Sequence, residues 1–296
     1  MIKKIQDEDT YKLFDEQGYI DLDKIQYKEI EIPIDKNASS AKKWIEIEGK
    51  KILVKRDEDF SESTQISQKE QQIEIYNNII IEEILEQMGI EHAEYYLGKK
   101  QGKTYILTPS FLKEGEKIVT GESIIEAEDD RIIETQLEAI EKYLKSKGLK
   151  TEQIEELKKE HLQQIFLSKA LGIIDFHTGN WGFIEDKNGK VIKTQPFTDF
   201  DITNTEDKEN DYSNILENGK DDIKSFIEKY EEYAQLQEII DKFSKLDRKS
   251  IFQNSYKKTH IKIREQDIQE YYYNYIERLK QIGKEQKLYG RNKEDE

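Results

Sequence analysis

The stretch Gly172–Asp201, "GIIDFHTGNWGFIEDKNGKVIKTQPFTDFD", differs in character from the rest of the chain. Elsewhere Lys, Glu, Ile and Gln dominate at helical spacing. Here Asp175, His177, Asn180, Asp199 and Asp201 stand among glycine, aromatic and apolar residues. Apolar runs on either side of Asn188-Gly189 predict a β-hairpin, because that dipeptide accepts the positive φ angles of a tight reversal. The hairpin follows Asn180, and its second strand delivers Asp199 to the end at which Asn180 lies. Either these polar residues form a working site, or they serve two turns and a salt bridge.

Upstream, the pattern alternates between strand and helix. "YKEIEIPI" reads as a short strand and "DKNASSAKK" as a small-residue loop. "KWIEIEGKKILVKRD" predicts a hairpin turning at Gly49. Residues 61–90 predict a helix with Ile73, Tyr76, Ile80, Ile84 and Met88 on one stripe and Gly89 as its stop. "HAEYYLGKKQGKTYILTPSFL" predicts a second hairpin turning at Gly102, its second strand reaching Leu107 before Pro109. Strand, hairpin, helix, hairpin makes a small α+β unit with an antiparallel sheet.

After "LKEGEK" the character changes. Residues 121–170 read as mainly helical, with Thr151 as the N-cap of a helix carrying Ile154, Leu157, His161, Leu162, Ile165 and Phe166 inward. Residues 208–290 read as helical again. The expected division is an N-lobe over 1–112 and a C-lobe over 113–296.

Composition narrows the function classes. The 296 residues carry a formal net charge of −16, which argues against a general nucleic-acid binder, since such a protein needs a basic face. Cysteine is absent, which excludes disulfides and thiolate metal sites and fits an intracellular protein. Four scattered His residues do not read as a zinc site. No apolar run approaches a membrane span, and the first ten residues lack the apolar core of a signal peptide, so a soluble cytoplasmic protein is expected.

Kinase-type phosphoryl transfer requires positioning and charge neutralisation more than covalent chemistry. It uses an Asp to accept the hydroxyl proton, an Asn a fixed distance later and a second Asp on a following strand end for metal, and a strand Lys for the phosphates. The chain offers Lys55, Asp175, Asn180 and Asp199 in that order. Asp175 and Asn180 are five positions apart, the offset of the kinase catalytic loop. An Asn and an Asp are hard oxygen donors, suited to magnesium.

"DFHTGNWGF" and "QPFTDFD" resemble the catalytic segment of HipA-like Ser/Thr kinases, with their D-x-H-x-x-N loop, hairpin and P-x-x-D aspartate. The resemblance extends to "ASSAKKWIEIEGKKILVK", "YNNIIIEEILEQMGI" and "ILTPSFLKEGEKIVTGESI", covering roughly residues 35–205. It implies a bilobal protein-kinase-like α+β fold, with an N-lobe antiparallel sheet plus helix and a mostly helical C-lobe. It further implies an ATP-dependent Ser/Thr protein kinase using Mg2+. Asp175 would be the base, with His177 bracing its loop. Asn180 and Asp199 would hold magnesium. Lys55, Ser39 and Ser40 would bind ATP phosphates, and Ser110, Phe111 and Leu112 would line the adenine pocket.

The expected partners are ATP and a protein Ser/Thr substrate, with a regulatory protein partner, no membrane and no direct nucleic-acid binding. The alternatives are a small-molecule or lipid-head-group kinase and a pseudokinase or interaction scaffold. Three departures from the family pattern stand out. The phosphate loop has no glycine; Glu82, Glu83 and Glu74 all remain open as the partner of Lys55; and "DFD" stands where kinases carry "DFG".

Overall fold

The structure, a computed structural model, describes residues 19–30, 41–56, 68–125, 132–173, 176–200 and 211–259, with 274, 276, 277 and 279–281. The chain divides into two compact units, Met1–Phe111 with Asp247–Ile276, and Leu112–Leu246 with Glu277–Glu296. The sequence reading placed the boundary after residue 112 and ran the second lobe to the C-terminus.

The first unit holds a six-stranded sheet of β1 (Ile20–Asp21), β2 (Lys28–Ile30), β3 (Ala41–Ile47), β4 (Lys50–Arg56), β5 (Tyr96–Lys100) and β6 (Lys103–Pro109), in the order β1-β5-β6-β4-β3-β2. All pairings are antiparallel except β1 with β5. Both expected hairpins form. Glu48 and Gly49 turn the first at φ +50° and +79°, and Gln101 and Gly102 turn the second at +50° and +77°. Two successive positive φ angles match the right-handed twist of the flanking strands.

Alternation then sets the faces. Ile45 and Ile47 of β3, Ile52 and Val54 of β4, Tyr96 of β5 and Leu107 of β6 bury one face together with Ile20 and Leu22. Each such burial stabilises on the order of 2 kcal/mol.

Helix α1 (Gln68–Met88) carries the expected stripe at Tyr76, Ile80, Ile84 and Met88, which are buried, while the side chain of Ile73 lies outside the described residues. Ile79, Ile81 and Leu85 are buried too, so the helix is covered around more of its girth than a single stripe requires. Gly89, at φ +65°, ends it as expected, and the Ile90 amide donates back to the Leu85 carbonyl at 2.9 Å. Helix α7 (Arg248–Thr259) packs on α1. The Gln87 side chain brackets the Asp247 backbone, accepting from its N–H at 2.9 Å and donating to its carbonyl at 3.2 Å. Asp247 in turn caps α7 through the Lys249 amide and the Ser250 hydroxyl.

The second unit holds a three-stranded sheet of β7 (Lys117–Thr120), β8 (Gly182–Glu185) and β9 (Val191–Thr194), in the order β7-β8-β9. Its helices are α2 (Gly121–Ile124), α3 (Ile133–Ser146), α4 (Thr151–Leu171), α5 (Asp211–Ala234) and α6 (Leu236–Ser244). Ile140, Leu144, Ile154, Leu157, Trp181, Phe183 and Val191 form one core cluster. Phe166 meets Phe226 and Phe243 with ring centroids 6.2 Å apart in each case.

Glu185, fully buried at the far end of β8, ties the sheet to α3. It pairs with Lys147 at 2.5 Å and Lys117 at 3.1 Å and accepts the Tyr143 hydroxyl at 2.7 Å. Burial pushes the Glu185 carboxyl up, but the lysines and the hydroxyl outweigh it and hold the group at about 2.

Three details differ from the sequence reading. β7 is a strand, paired with β8, where only a change of character was expected; four residues with one bulky alternation are too few to read without the partner. Lys150, not Thr151, occupies the N-cap of α4, and its amide donates to the Gln153 side chain at 3.2 Å. The β8–β9 reversal is wider than Asn188-Gly189 alone: Asp186 Oδ1 accepts the amides of Asn188 at 2.8 Å and Lys190 at 3.0 Å.

Candidate active site

The site is built on the ends of α4 and the β8–β9 hairpin. Gly172 ends α4 at φ +67°, and the Ile173 amide donates to the Ser168 carbonyl at 2.8 Å. The chain then leaves the helix and runs to β8 through residues 176–181. His177 opens a tight turn there: its carbonyl accepts the Asn180 amide at 2.9 Å, and its Nδ1 accepts the Gly179 amide at 2.9 Å. The side chain thus does what an Asx side chain does in a turn, bonding to the backbone two residues on. An Nδ1 that accepts this bond carries no proton itself. Gly179 is required for closeness: a Cβ there would stand 2.7 Å from His177 Cε1.

The same turn is held from a second element. The Glu122 amide donates to the Thr178 carbonyl at 3.0 Å, and the Gly121 amide to the Trp181 carbonyl at 2.8 Å. Trp181 is buried against His161, with ring centroids 4.1 Å apart. His161 Nε2 lies 2.8 Å from the Gln136 amide oxygen, so Nε2 carries the proton. Burial pushes His161 down to about 3, keeping it neutral.

Asn180 lies two residues before β8, and Asp199 five after β9. The Gln195 amide donates to the Gly182 carbonyl at 2.8 Å, continuing the hairpin pairing one step beyond the Phe183–Thr194 pair. Asn180 and Asp199 therefore leave the hairpin at one end. Asp199 has φ +60°, a left-handed conformation that costs a non-glycine residue about 1 kcal/mol. Packed aromatics hold the backbone around it: Phe197 meets Phe200 at 5.6 Å and Phe176 at 5.8 Å.

In the first unit, Lys55 stands opposite Ile106, and Ile106 opposite Leu97, in one cross-strand row. Directly paired residues share a face, so Lys55 looks away from the Val54–Leu107–Tyr96 core. It is half-buried. Glu82 and Glu83 of α1 are both buried, and Glu82 accepts the Tyr95 amide at 3.3 Å. Ser110 extends the β4–β6 ladder, its amide donating to the Lys51 carbonyl at 2.8 Å, and Phe111 follows.

Leu112, His177, Asn180 and Asp199 belong to the second unit. Ser39, Ser40, Asp175 and Asp201 lie outside the described residues. The described structure therefore brings together His177, Asn180 and Asp199 around one hairpin end, and Lys55 and Ser110 on one sheet. Asn180 and Asp199 are hard oxygen donors, a set that fits magnesium. Among the described residues no three His, Cys, Asp or Glu side chains gather as a metal group, and no helix is long and apolar enough to cross a membrane.

The sequence reading missed Gly121, Glu122, Trp181 and His161 as parts of this site. A glycine next to a short strand and one of only two tryptophans were the available signals.

No protein-family model matches the sequence, and neither does any curated protein. Its fold is similar to that of the Helicobacter pylori proinflammatory kinase CtkA, with a TM-score of 0.59 at 15% identity over 90% of this chain and 96% of that one. A weaker match is HipA of Shewanella oneidensis, solved with HipB and its operator DNA, with a TM-score of 0.47 at 11% identity over 88% of this chain and 63% of that one. The chain thus has the bilobal α+β fold of a known kinase.

Proposed function

We propose that this chain is an ATP-dependent phosphotransferase acting on protein Ser/Thr hydroxyls in the cytoplasm. One observation carries the reading: the β8–β9 hairpin brings Asn180 and Asp199 to one end, behind a turn that opens two residues after Asp175. The kinase-like fold supports it.

Asp175 accepts the proton of the attacking hydroxyl. Asn180 and Asp199 hold magnesium, which when bound neutralises charge on the phosphates. Lys55 holds the α- and β-phosphates from the sheet, assisted by Ser39 and Ser40. The backbone of Ser110, Phe111 and Leu112 lines the adenine. The first lobe accordingly binds nucleotide and the second supplies base and metal ligands. His177, its Nδ1 engaged by Gly179, braces the turn.

Purified protein incubated with magnesium, labelled ATP and protein acceptors tests this. Wild type transfers label, and Asp175→Ala loses about 10²- to 10⁴-fold, the range of a lost general base. Asp199→Ala loses at least as much. Equal transfer by all three proteins overturns the reading. So does absence of transfer together with absence of an ATP-induced thermal shift.

A further inference from the structure

We infer that Gly121, with Glu122 and Trp181, is the positioning device that sets Asn180 as a metal ligand. This inference rests on the function proposed above. Asn180 is bracketed in sequence by Thr178 and Trp181, and the carbonyls of those two residues accept the amides of Glu122 and Gly121. The donors come from the start of α2, which follows β7; that strand pairs with β8, the strand Asn180 leads into. Both ends of the turn are therefore anchored to one neighbouring segment.

The fit leaves no room for a side chain at 121. A Cβ on Gly121 would lie 2.5 Å from Trp181 Cε2 and Cζ2 and 2.8 Å from the Thr178 carbonyl oxygen. Trp181 cannot withdraw, because His161 lies against it and Phe183 meets its edge at 6.4 Å. A methyl at 121 must then push the Thr178–Trp181 backbone outward, and Asn180 moves with it. φ at Gly121 is not in the left-handed region, so closeness rather than conformational freedom demands the glycine.

Groups that orient a metal ligand typically change metal affinity 10- to 100-fold when altered. The test compares wild type, Gly121→Ala, Trp181→Phe and the double variant. One readout is the magnesium concentration that half-saturates the ATP-induced thermal shift. Gly121→Ala raises that concentration about 10-fold or more, and excess magnesium restores the shift. Trp181→Phe removes ring atoms from the overlap, so the double variant lies nearer wild type than the two single effects predict.

Amide hydrogen exchange across residues 177–181 gives a second readout that needs no nucleotide. Exchange there is faster in Gly121→Ala and slower again in the double variant. The inference is overturned if Gly121→Ala keeps wild-type magnesium dependence, or if exchange across 177–181 is unchanged. If wild type gives no ATP-induced shift, the exchange result alone decides whether Gly121 holds the turn; if wild type also transfers no label, the proposed function fails.

Discussion

At the residue scale, His161 shows how a group outside the reacting set can shape the protein's response to pH. Its ring is fully buried against Trp181, and burial pushes it down to about 3. An unfolded chain protonates the same ring near the ordinary value of about 6.5. Above that value both states are neutral and the group contributes nothing to pH dependence. Below it the unfolded state binds a proton that the folded state refuses, so stability falls as pH falls, by up to about 1.4 kcal/mol per unit, until the pH approaches 3. Denaturant midpoints at pH 7, 6 and 5 should therefore decline in wild type. In His161→Phe, which keeps an aromatic ring against Trp181, this part of the decline should vanish; an unchanged slope would remove His161 as its source. Asp199 is the complementary case. Its left-handed backbone is held between buried Phe197 and Phe200, and neither the strain nor its support could be read from "PFTDFD".

At the element scale, the three-stranded sheet does most to assemble the site. β8 lies between β7 and β9, so one strand aligns the Gly121–Glu122 donors with the turn and the other brings Asp199 round. Close approach of β7 to β8 depends on Gly182. A Cβ there would stand 2.3 Å from the Val119 carbonyl oxygen and 2.9 Å from Thr120 Cα, both backbone atoms that cannot turn aside. Gly182→Ala should thus split β7 from β8 and cost about 3 kcal/mol, near the upper range for single substitutions. A thermal melt checks this, and a wild-type melting temperature would show that the strands can part cheaply. Hairpins were legible in the sequence because their turns use Gly49, Gly102 and Asn188-Gly189, which carry the conformational signal locally. β7 was not, because "KIVT" becomes a strand only when Phe183 and Ile184 pair with Val119 and Ile118.

At the scale of the whole molecule, the proposed function predicts that nucleotide binding stabilises the chain, since a ligand that binds only the folded state adds RT ln(1 + [L]/Kd). At a hundredfold excess of Mg-ATP over Kd this is about 2.7 kcal/mol. The shift should shrink more in Asp199→Ala than in Asp175→Ala, because a metal ligand supports nucleotide binding and a proton acceptor acts mainly on the transferred hydroxyl. Equal shifts in the two variants would argue against those separate roles.

The sequence by itself determined the α+β class, the two hairpins of the first unit, the buried stripe of α1 and the hairpin between Asn180 and Asp199. Each rests on local rules: periodicity fixes which face is apolar, and turn residues fix where the chain reverses. Tertiary structure alone decided that His177 accepts from Gly179, that Gly121 and Glu122 hold the turn, and that Trp181 rests on a neutral His161. Apart from the local His177–Gly179 bond, those contacts join residues far apart in the chain, such as Gly121 to Trp181 and His161 to Gln136. A close approach leaves no periodic trace, since the only mark it makes on the sequence is a glycine where a side chain would not fit.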